Sequence, residues 1–162
     1  NERGWEPAAV SYVLTLGYSL AIIGYVTAGP MLDFAGRRLT ATVYFAIGAI
    51  SAYVCFTAQS AAVITVAYII VLGMHALWPI AATITSEIFP TAIRGTANAV
   101  VNNMLGRIGM ALAPAIVGSL SAILGSVGQA VAVVALVPFV CLPVILLVVS
   151  ETKGKELEEI NS

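Results

Sequence analysis

The stretch Asp33-Phe34-Ala35-Gly36-Arg37-Arg38 is the first of a few short polar junctions that divide an otherwise apolar chain. No Asp, Glu, Lys or Arg occurs from residue 39 to residue 86, or again from residue 108 to residue 150. An ionised side chain in hydrocarbon costs several kcal/mol, so the charges of a membrane protein gather at the ends of its spanning segments. This distribution predicts a chain that crosses a membrane several times.

The composition agrees, because 60% of the 162 residues are hydrophobic and 9% are charged, against about 25% charged residues in soluble domains. A helix needs about 20 apolar residues to cross the hydrocarbon core, and an alternating barrel pattern is absent. The predicted fold class is therefore all-α integral membrane with five transmembrane helices. The expected spans cover residues 9–32, 39–58, 61–85, 96–120 and 128–149, followed by a polar tail over residues 150–162.

Composition also argues against several partners. The formal net charge is −1, so we expect no nucleic acid partner. Cys55 and Cys141 fall inside predicted spans, where small apolar packing is favoured over a disulfide or a metal site. His75 has no second histidine beside it, and no metal or cofactor is expected. No basic segment followed by a cleavage site is visible, so no signal peptide is predicted.

The Lys and Arg residues predict an orientation. With five spans, the 33–38 junction, the 87–95 junction and the tail share one side of the membrane. That side holds Arg37, Arg38, Arg94, Lys153 and Lys155, whereas the opposite side holds only Arg3. Because positive residues accumulate on the cytoplasmic side, the C-terminus is expected in the cytoplasm. The protein itself is expected in the plasma membrane.

Three stretches resemble signatures of the major facilitator superfamily, in the family's order. Residues 33–38 look like its D-x-x-G-R-R signature, and residues 86–95 (Ser-Glu-Ile-Phe-Pro-Thr-Ala-Ile-Arg-Gly) look like E-x-F-P-T-x-x-R-G. Residues 151–154 (Glu-Thr-Lys-Gly) with Leu157-Glu158 are similar to P-E-T-K-G-x-x-L-E. The resemblance covers nearly the whole chain. It implies the C-terminal half of such a transporter, helices eight to twelve, with the N-terminal half and the seventh helix missing.

A further run bears on the substrate. Gly106-Arg107-Ile108-Gly109 with Ala113-Pro114 looks like the G-R-I-G-x-x-x-A-P run of metabolite:proton symporters and organic-ion transporters. The chain departs from sugar porters at Gly73–Pro79 and at Ser150. The resemblance implies proton-coupled transport of an organic acid, an aromatic metabolite or a sugar.

The charged junctions supply a candidate gating network. Arginine side chains can bind carboxylates bidentately, and such pairs could latch the two halves of a transporter while its cavity faces outward. The alternative is static anchoring of the loops at anionic headgroups. The candidate residues are Asp33, Arg37, Arg38, Glu87, Arg94 and Glu151.

Two ionisable residues lie within spans. His75 and Arg107 are each about 10 residues from the charged end of their helix, which places both about 15 Å deep. Ionisable residues at that depth suggest function: an anionic substrate on Arg107 and a coupling proton on His75. The alternatives are an Arg bonded to backbone carbonyls and a neutral His bonded between helices.

Polar and aromatic residues extend this candidate substrate pathway. Asn98 and Asn102, like Asn103 and Arg107, are four residues apart and share a helix face. Tyrosines and a tryptophan could contact a ring or a hydroxylated solute, or could simply pack against neighbouring helices. They are Tyr18, Tyr25 and Trp78.

Two functions remain open at this point. The first is secondary active transport of a small organic solute by alternating access, with protons, lipid and the missing N-terminal half as partners. The second is a membrane sensor or anchor that kept the fold without transporting. No His/Asp cluster or Ser–His–Asp set suggests an integral-membrane enzyme.

Overall fold

A computed structural model describes residues 5–149 and 151–154 of the chain, and within them the structure is helical without strands. Five helices are long and apolar enough to cross a membrane, as the sequence predicted. They are α1 (Pro7–Ala35), α2 (Arg37–Thr57), α3 (Ala61–Ile88), α4 (Arg94–Leu124) and α5 (Val127–Leu147). Of the predicted tail, residues 150 and 155–162, which include Leu157-Glu158, lie outside the described residues.

Gly36 alone separates α1 from α2. It has a φ of +92°, which glycine adopts without steric cost, and its N–H bonds to the carbonyl of Leu32 at 3.2 Å. Asp33 therefore belongs to the last turn of α1, while Arg37 and Arg38 form the first turn of α2. The first polar junction is thus a sharp corner between two helices.

The core lies where α1 and α2 pack against α3. Half of its buried residues are alanine, and such small side chains allow the helix backbones to approach closely. The buried residues are Ala28, Leu32, Ala41, Tyr44, Ala76 and Ile80. On the other side of α2 lies α5, which in turn contacts α4.

Two helices leave most of their surface uncovered within the described chain. In the most apolar stretch of α4 no residue is buried, and in that of α1 only 11% are. Their apolar side chains are accordingly available to lipid or to another protein segment. By contrast, 33% of the corresponding stretch of α2 is buried.

Three helices are locally irregular. A 3₁₀ turn at Met74–Ala76 interrupts α3 ahead of Pro79, and a π-helical segment occupies Ala99–Leu105 of α4. The regular part of α5 stops at Val134 and resumes at Val137, next to Pro138. Proline lacks an N–H, so a break one turn before it is expected. No proline lies within four residues of the π-helical segment, so proline does not explain this irregularity.

Candidate functional site

The three sequence signatures meet at the charged end of the bundle. Arg37 of α2 reaches Glu87 of α3 with two guanidinium nitrogens: Nε donates to Oε2 at 2.8 Å and Nη2 donates to Oε1 at 2.6 Å. The side chains are only 14% and 13% exposed. Arg37 Nη1 also donates to the Leu32 carbonyl at 3.0 Å. A bidentate pair with this little exposure is stronger than an ordinary surface ion pair.

Glu151 caps the start of α2 from a distant part of the chain. Its carboxylate accepts hydrogen bonds from the backbone N–H of Arg37 at 2.9 Å and of Arg38 at 3.2 Å. The first N–H groups of a helix have no partner within the helix and carry partial positive charge, so they favour an anion. Glu151 thereby joins the segment after α5 to the corner between α1 and α2.

This contact explains the glycine of the first signature. A Cβ atom added to Gly36 would lie 2.6 Å from Glu151 Oε2, closer than side-chain carbons approach such atoms. The positive φ of Gly36 adds a second reason, because other residues rarely adopt it. Gly36 is therefore needed both for the corner and for the space that the Glu151 carboxylate occupies.

The residues after Glu151 complete a cluster that ties three helices together. The Thr152 hydroxyl donates to Glu87 Oε2, and Lys153 Nζ donates to the Phe34 carbonyl at 2.6 Å while lying 5.8 Å from the centre of the Phe34 ring. We call this set the charged-end cluster. It consists of Arg37, Glu87, Glu151, Thr152 and Lys153.

The surroundings of Glu151 favour its ionised form. Partial burial opposes ionisation, but the hydrogen bonds from the backbone N–H groups of Arg37, Arg38 and Lys153 outweigh it. The net effect lowers the pKa of Glu151 below its ordinary value. The carboxylate is therefore charged throughout the neutral range, as the cap on α2 requires.

The remaining residues of the expected gating network are less engaged. Asp33 is 81% exposed and lies 3.7 Å from Arg37 Nη1, a loose contact. Arg38 contributes its backbone N–H to the cluster. Within the described residues, Arg38 Nε and two buried nitrogens of Arg94 have no hydrogen-bond acceptor. Glu87 thus pairs with Arg37, while no bond links it to Arg94.

Farther from the charged end, α4 carries the asparagines and the arginine that the sequence predicted to share one face. Asn102 Nδ2 donates to Asn98 Oδ1 at 2.9 Å within the π-helical region. Asn103 and Arg107 are exposed on this helix and make no hydrogen bond to another described residue. Trp78 of α3 packs on α4 at Gly106, since a Cβ added to Gly106 would lie 2.9 Å from the Trp78 ring.

The other predicted pathway residues lie around the break in α3. The Tyr25 hydroxyl donates to the backbone carbonyl of His75 at 3.3 Å. His75 and Trp78 line a cavity of about 300 Å³ between α2, α3 and α5. Tyr18 is 62% exposed, and its hydroxyl bonds to no other described residue.

Some structural residues did not emerge from the sequence patterns. Tyr44, 2% exposed, donates from α2 to the Gly24 carbonyl at 2.9 Å and lies 3.2 Å from the Thr27 hydroxyl. Thr152 directly follows Glu151 in the third signature, and this position is the sequence feature that could have indicated its role. No comparable signal marks Tyr44, a tyrosine within an apolar run. Within the described residues, no group of three or more His, Cys, Asp or Glu side chains could hold a metal ion.

Comparisons with known proteins identify relatives. Residues 1–162 match the family model described as Major Facilitator Superfamily. The chain is 33% identical over 148 residues to a cis,cis-muconate transport protein of Acinetobacter baylyi, an alignment that covers 87% of this chain and 34% of the relative. It is 32% identical over 136 residues to a putative niacin/nicotinamide transporter of Bacillus subtilis, covering 83% of this chain and 34% of that protein. The chain therefore spans about a third of the length of these relatives.

Proposed function

The chain belongs to the major facilitator superfamily, and we propose that it forms the C-terminal part of a secondary transporter that moves a small organic carboxylate across a membrane. It is an integral, multi-pass membrane protein of a family of transporters rather than enzymes. The observation that carries the proposal is the charged-end cluster. Three distant signatures converge there on two carboxylates, and the cluster joins α1, α2 and α3 to the segment after α5.

The names of the two relatives support this substrate class. Muconate and niacin, named in the relatives' descriptions, are both carboxylic acids and are anions at neutral pH. Arg107 of this chain is a cation within a membrane-spanning helix, and the residue before it, Gly106, packs against the Trp78 ring. A guanidinium binds a carboxylate and an aromatic ring can stack on a conjugated solute. We assign Arg107 to the carboxylate and Trp78 to the flat part of the solute.

The charged-end cluster would act as a releasable latch. Arg37, Glu87 and Glu151 hold the ends of α1, α2 and α3 together, which keeps this side of the transporter closed. Opening requires that these bonds separate so that the solute can leave. The distribution of Lys and Arg supports a cytoplasmic location for this side, and we propose the plasma membrane as the location of the protein.

A second half would supply the other wall of the solute pathway. The relatives are about three times as long as the aligned region, and α1 and α4 present uncovered apolar surface. We propose that the N-terminal half of the same transporter packs there. His75, which lines a cavity in the bundle, is our candidate for the coupling proton.

The test is uptake by the full-length protein of a panel containing muconate, niacin, nicotinamide and a hexose, with and without a proton gradient. We expect uptake of the carboxylates, driven by the gradient, and little uptake of the hexose. His75→Gln should abolish accumulation of solute against its own concentration gradient, while exchange of solute down that gradient should continue. A correctly inserted protein that moves no solute of the panel would contradict the proposal and favour the sensor or anchor function.

A further inference from the structure

The break in α3 leaves one backbone carbonyl short of its usual donor. In an α-helix the carbonyl of His75 would accept a hydrogen bond from the N–H four residues later, but residue 79 is proline and has none. The N–H of Leu77 is shared between the carbonyls of Met74 and His75. A bond two residues along the chain has poor geometry, so His75 needs an outside donor.

Tyr25 supplies that donor from a different helix. Its hydroxyl, on α1, lies 3.3 Å from the His75 carbonyl oxygen. An unpaired carbonyl in the apolar interior of a membrane protein is costly, and prolines in such helices are tolerated where another group satisfies the freed backbone. Tyr25 thus compensates for Pro79 across the α1–α3 contact.

A fixed crossing point lies immediately before the break. A Cβ added to Gly24 would be 2.0 Å from the Gly73 carbonyl oxygen, so the backbones of α1 and α3 touch there. Tyr44 binds the Gly24 carbonyl from α2 and holds α1 in place. This region of α3 cannot shift against α1 without a clash.

The part of α3 beyond the break carries the latch, since the segment Leu77–Ile88 ends one residue after Glu87. The cavity of about 300 Å³ borders the break itself, because Met74 and His75 of the 3₁₀ turn line it. Farther along, Ile80 is buried in the core. A change in the angle at the turn therefore moves the end of α3 that carries Glu87, and the Tyr25 bond lies at that turn.

We infer that Tyr25 is a positioning residue: by bonding the His75 carbonyl that Pro79 leaves without its usual donor, it sets the angle of the α3 break and so the position of Glu87 against Arg37. The effect on transport rests on the proposed function. The bond itself does not, and it can be measured independently.

The direct test uses the full-length protein, in which His75 is the single histidine of residues 1–162 and any histidine outside them is replaced by glutamine. Growth on histidine carrying ¹³C in its carbonyl group labels one peptide bond, provided that the purification tag has no histidine. In membranes, Tyr25→Phe should move the labelled amide I band to higher frequency, because the carbonyl loses a hydrogen bond. Tyr18→Phe, a tyrosine on the same helix without a described partner, is the control and should leave the band unchanged. An unshifted band in Tyr25→Phe would overturn the inference.

Pro79→Ala provides the second arm, because alanine restores the N–H that the His75 carbonyl lacks. In that background Tyr25→Phe should no longer shift the band. In the full-length transporter, Tyr25→Phe alone should change the maximal transport rate about two- to tenfold, the effect of one uncharged hydrogen bond, with KM nearly constant. Added to Pro79→Ala, it should have no further effect.

Equal effects of Tyr25→Phe on the rate in both backgrounds would refute the positioning role. If the full-length protein moves none of the tested solutes, the proposed function fails while the band measurement still decides the role of Tyr25.

Discussion

Arg37 and Glu87 face each other between α2 and α3 with two guanidinium nitrogens directed at one carboxylate, the shorter contact being 2.6 Å. Glu87 also accepts a hydrogen bond from Thr152. Since Glu151 meanwhile binds the backbone at the start of α2, both carboxylates of the charged-end cluster act on the same helix terminus. The corner at Gly36 is therefore held from two directions.

The Arg37–Glu87 pair predicts a difference between two arginines of the signatures. Arg37→Ala should lower the free energy of unfolding by about 1.5–3 kcal/mol, the range for hydrogen bonds to charged groups. Arg94→Ala, which removes no described hydrogen bond, is the matched control and should cost less. Thermal unfolding of the detergent-solubilised protein measures both.

A double-mutant cycle then tests whether Arg37 acts through Glu87. The double variant Arg37→Ala/Glu87→Ala should lose less stability than the two single losses added together. Additive losses, or a larger loss for Arg94→Ala, would show that Arg37 and Glu87 do not form the principal pair.

Any side chain at position 36 should destabilise the folded chain. Gly36→Ala places a Cβ 2.6 Å from Glu151 Oε2 and forces alanine to a φ of +92°. We expect a loss of about 1–3 kcal/mol, typical of strained backbone positions. Gly29→Ala is the control because its added Cβ meets nothing within 4 Å, and it should be neutral or stabilising.

A comparison with Glu151→Ala separates the two causes at Gly36. In that background the clash is gone but the strained φ remains, so Gly36→Ala should cost less than in the parent chain without becoming neutral. An unchanged cost would mean that the carboxylate does not limit the space at Gly36.

The lowered pKa of Glu151 predicts a pH dependence with a definite sign. A carboxyl whose pKa is lower in the folded state stabilises the fold above its unfolded pKa, about 4.3, and loses that contribution as pH falls through the folded value. The parent chain should therefore be more stable than Glu151→Gln near pH 7, and the difference should shrink below about pH 4.3. Unfolding midpoints of both proteins between pH 7 and pH 3 give the comparison. A constant difference across this range would contradict an ionised cap.

The helices could be predicted from the sequence because charge is costly in a membrane and is missing from four of the five long segments, while the remaining one carries Arg107 alone. Because successive spans cross the membrane in opposite directions, the sequence also predicted that the three signatures lie at the same end of the bundle. The partner of each charge could not be predicted. Glu87 binds Arg37 rather than Arg94 because of how α2 and α3 are rotated, and one sequence carries no direct record of helix rotation.

The contacts of the inner residues were likewise beyond the sequence. Pro79 shows that the His75 carbonyl lacks a donor, yet nothing in the sequence shows that Tyr25, 50 residues earlier, provides one. The sequence left open whether Tyr25 contacts a solute or packs against a neighbouring helix, and in the structure its hydroxyl bonds to the backbone of α3. Roles for Arg107, Asn103 and Tyr18 remain predictions, since no bond to another described residue fixes them.

Arg107 provides the sharpest test of the proposed substrate class. Niacin and nicotinamide share one ring and differ in carboxylate against carboxamide, so they separate charge recognition from ring recognition. If Arg107 binds the carboxylate, Arg107→Ala should raise the KM for niacin about 10- to 100-fold, the effect of losing a hydrogen bond to a charged group. The KM for nicotinamide should change little.

Arg107→Lys should raise the KM for niacin less than Arg107→Ala does, because lysine keeps the charge but cannot present the planar fork. Met110→Ala, an exposed residue of the same helix outside the candidate pathway, is the control for local packing. Uptake kinetics of the full-length protein decide the matter: an equal change for both solutes, or none, would leave Arg107 without a role in carboxylate binding.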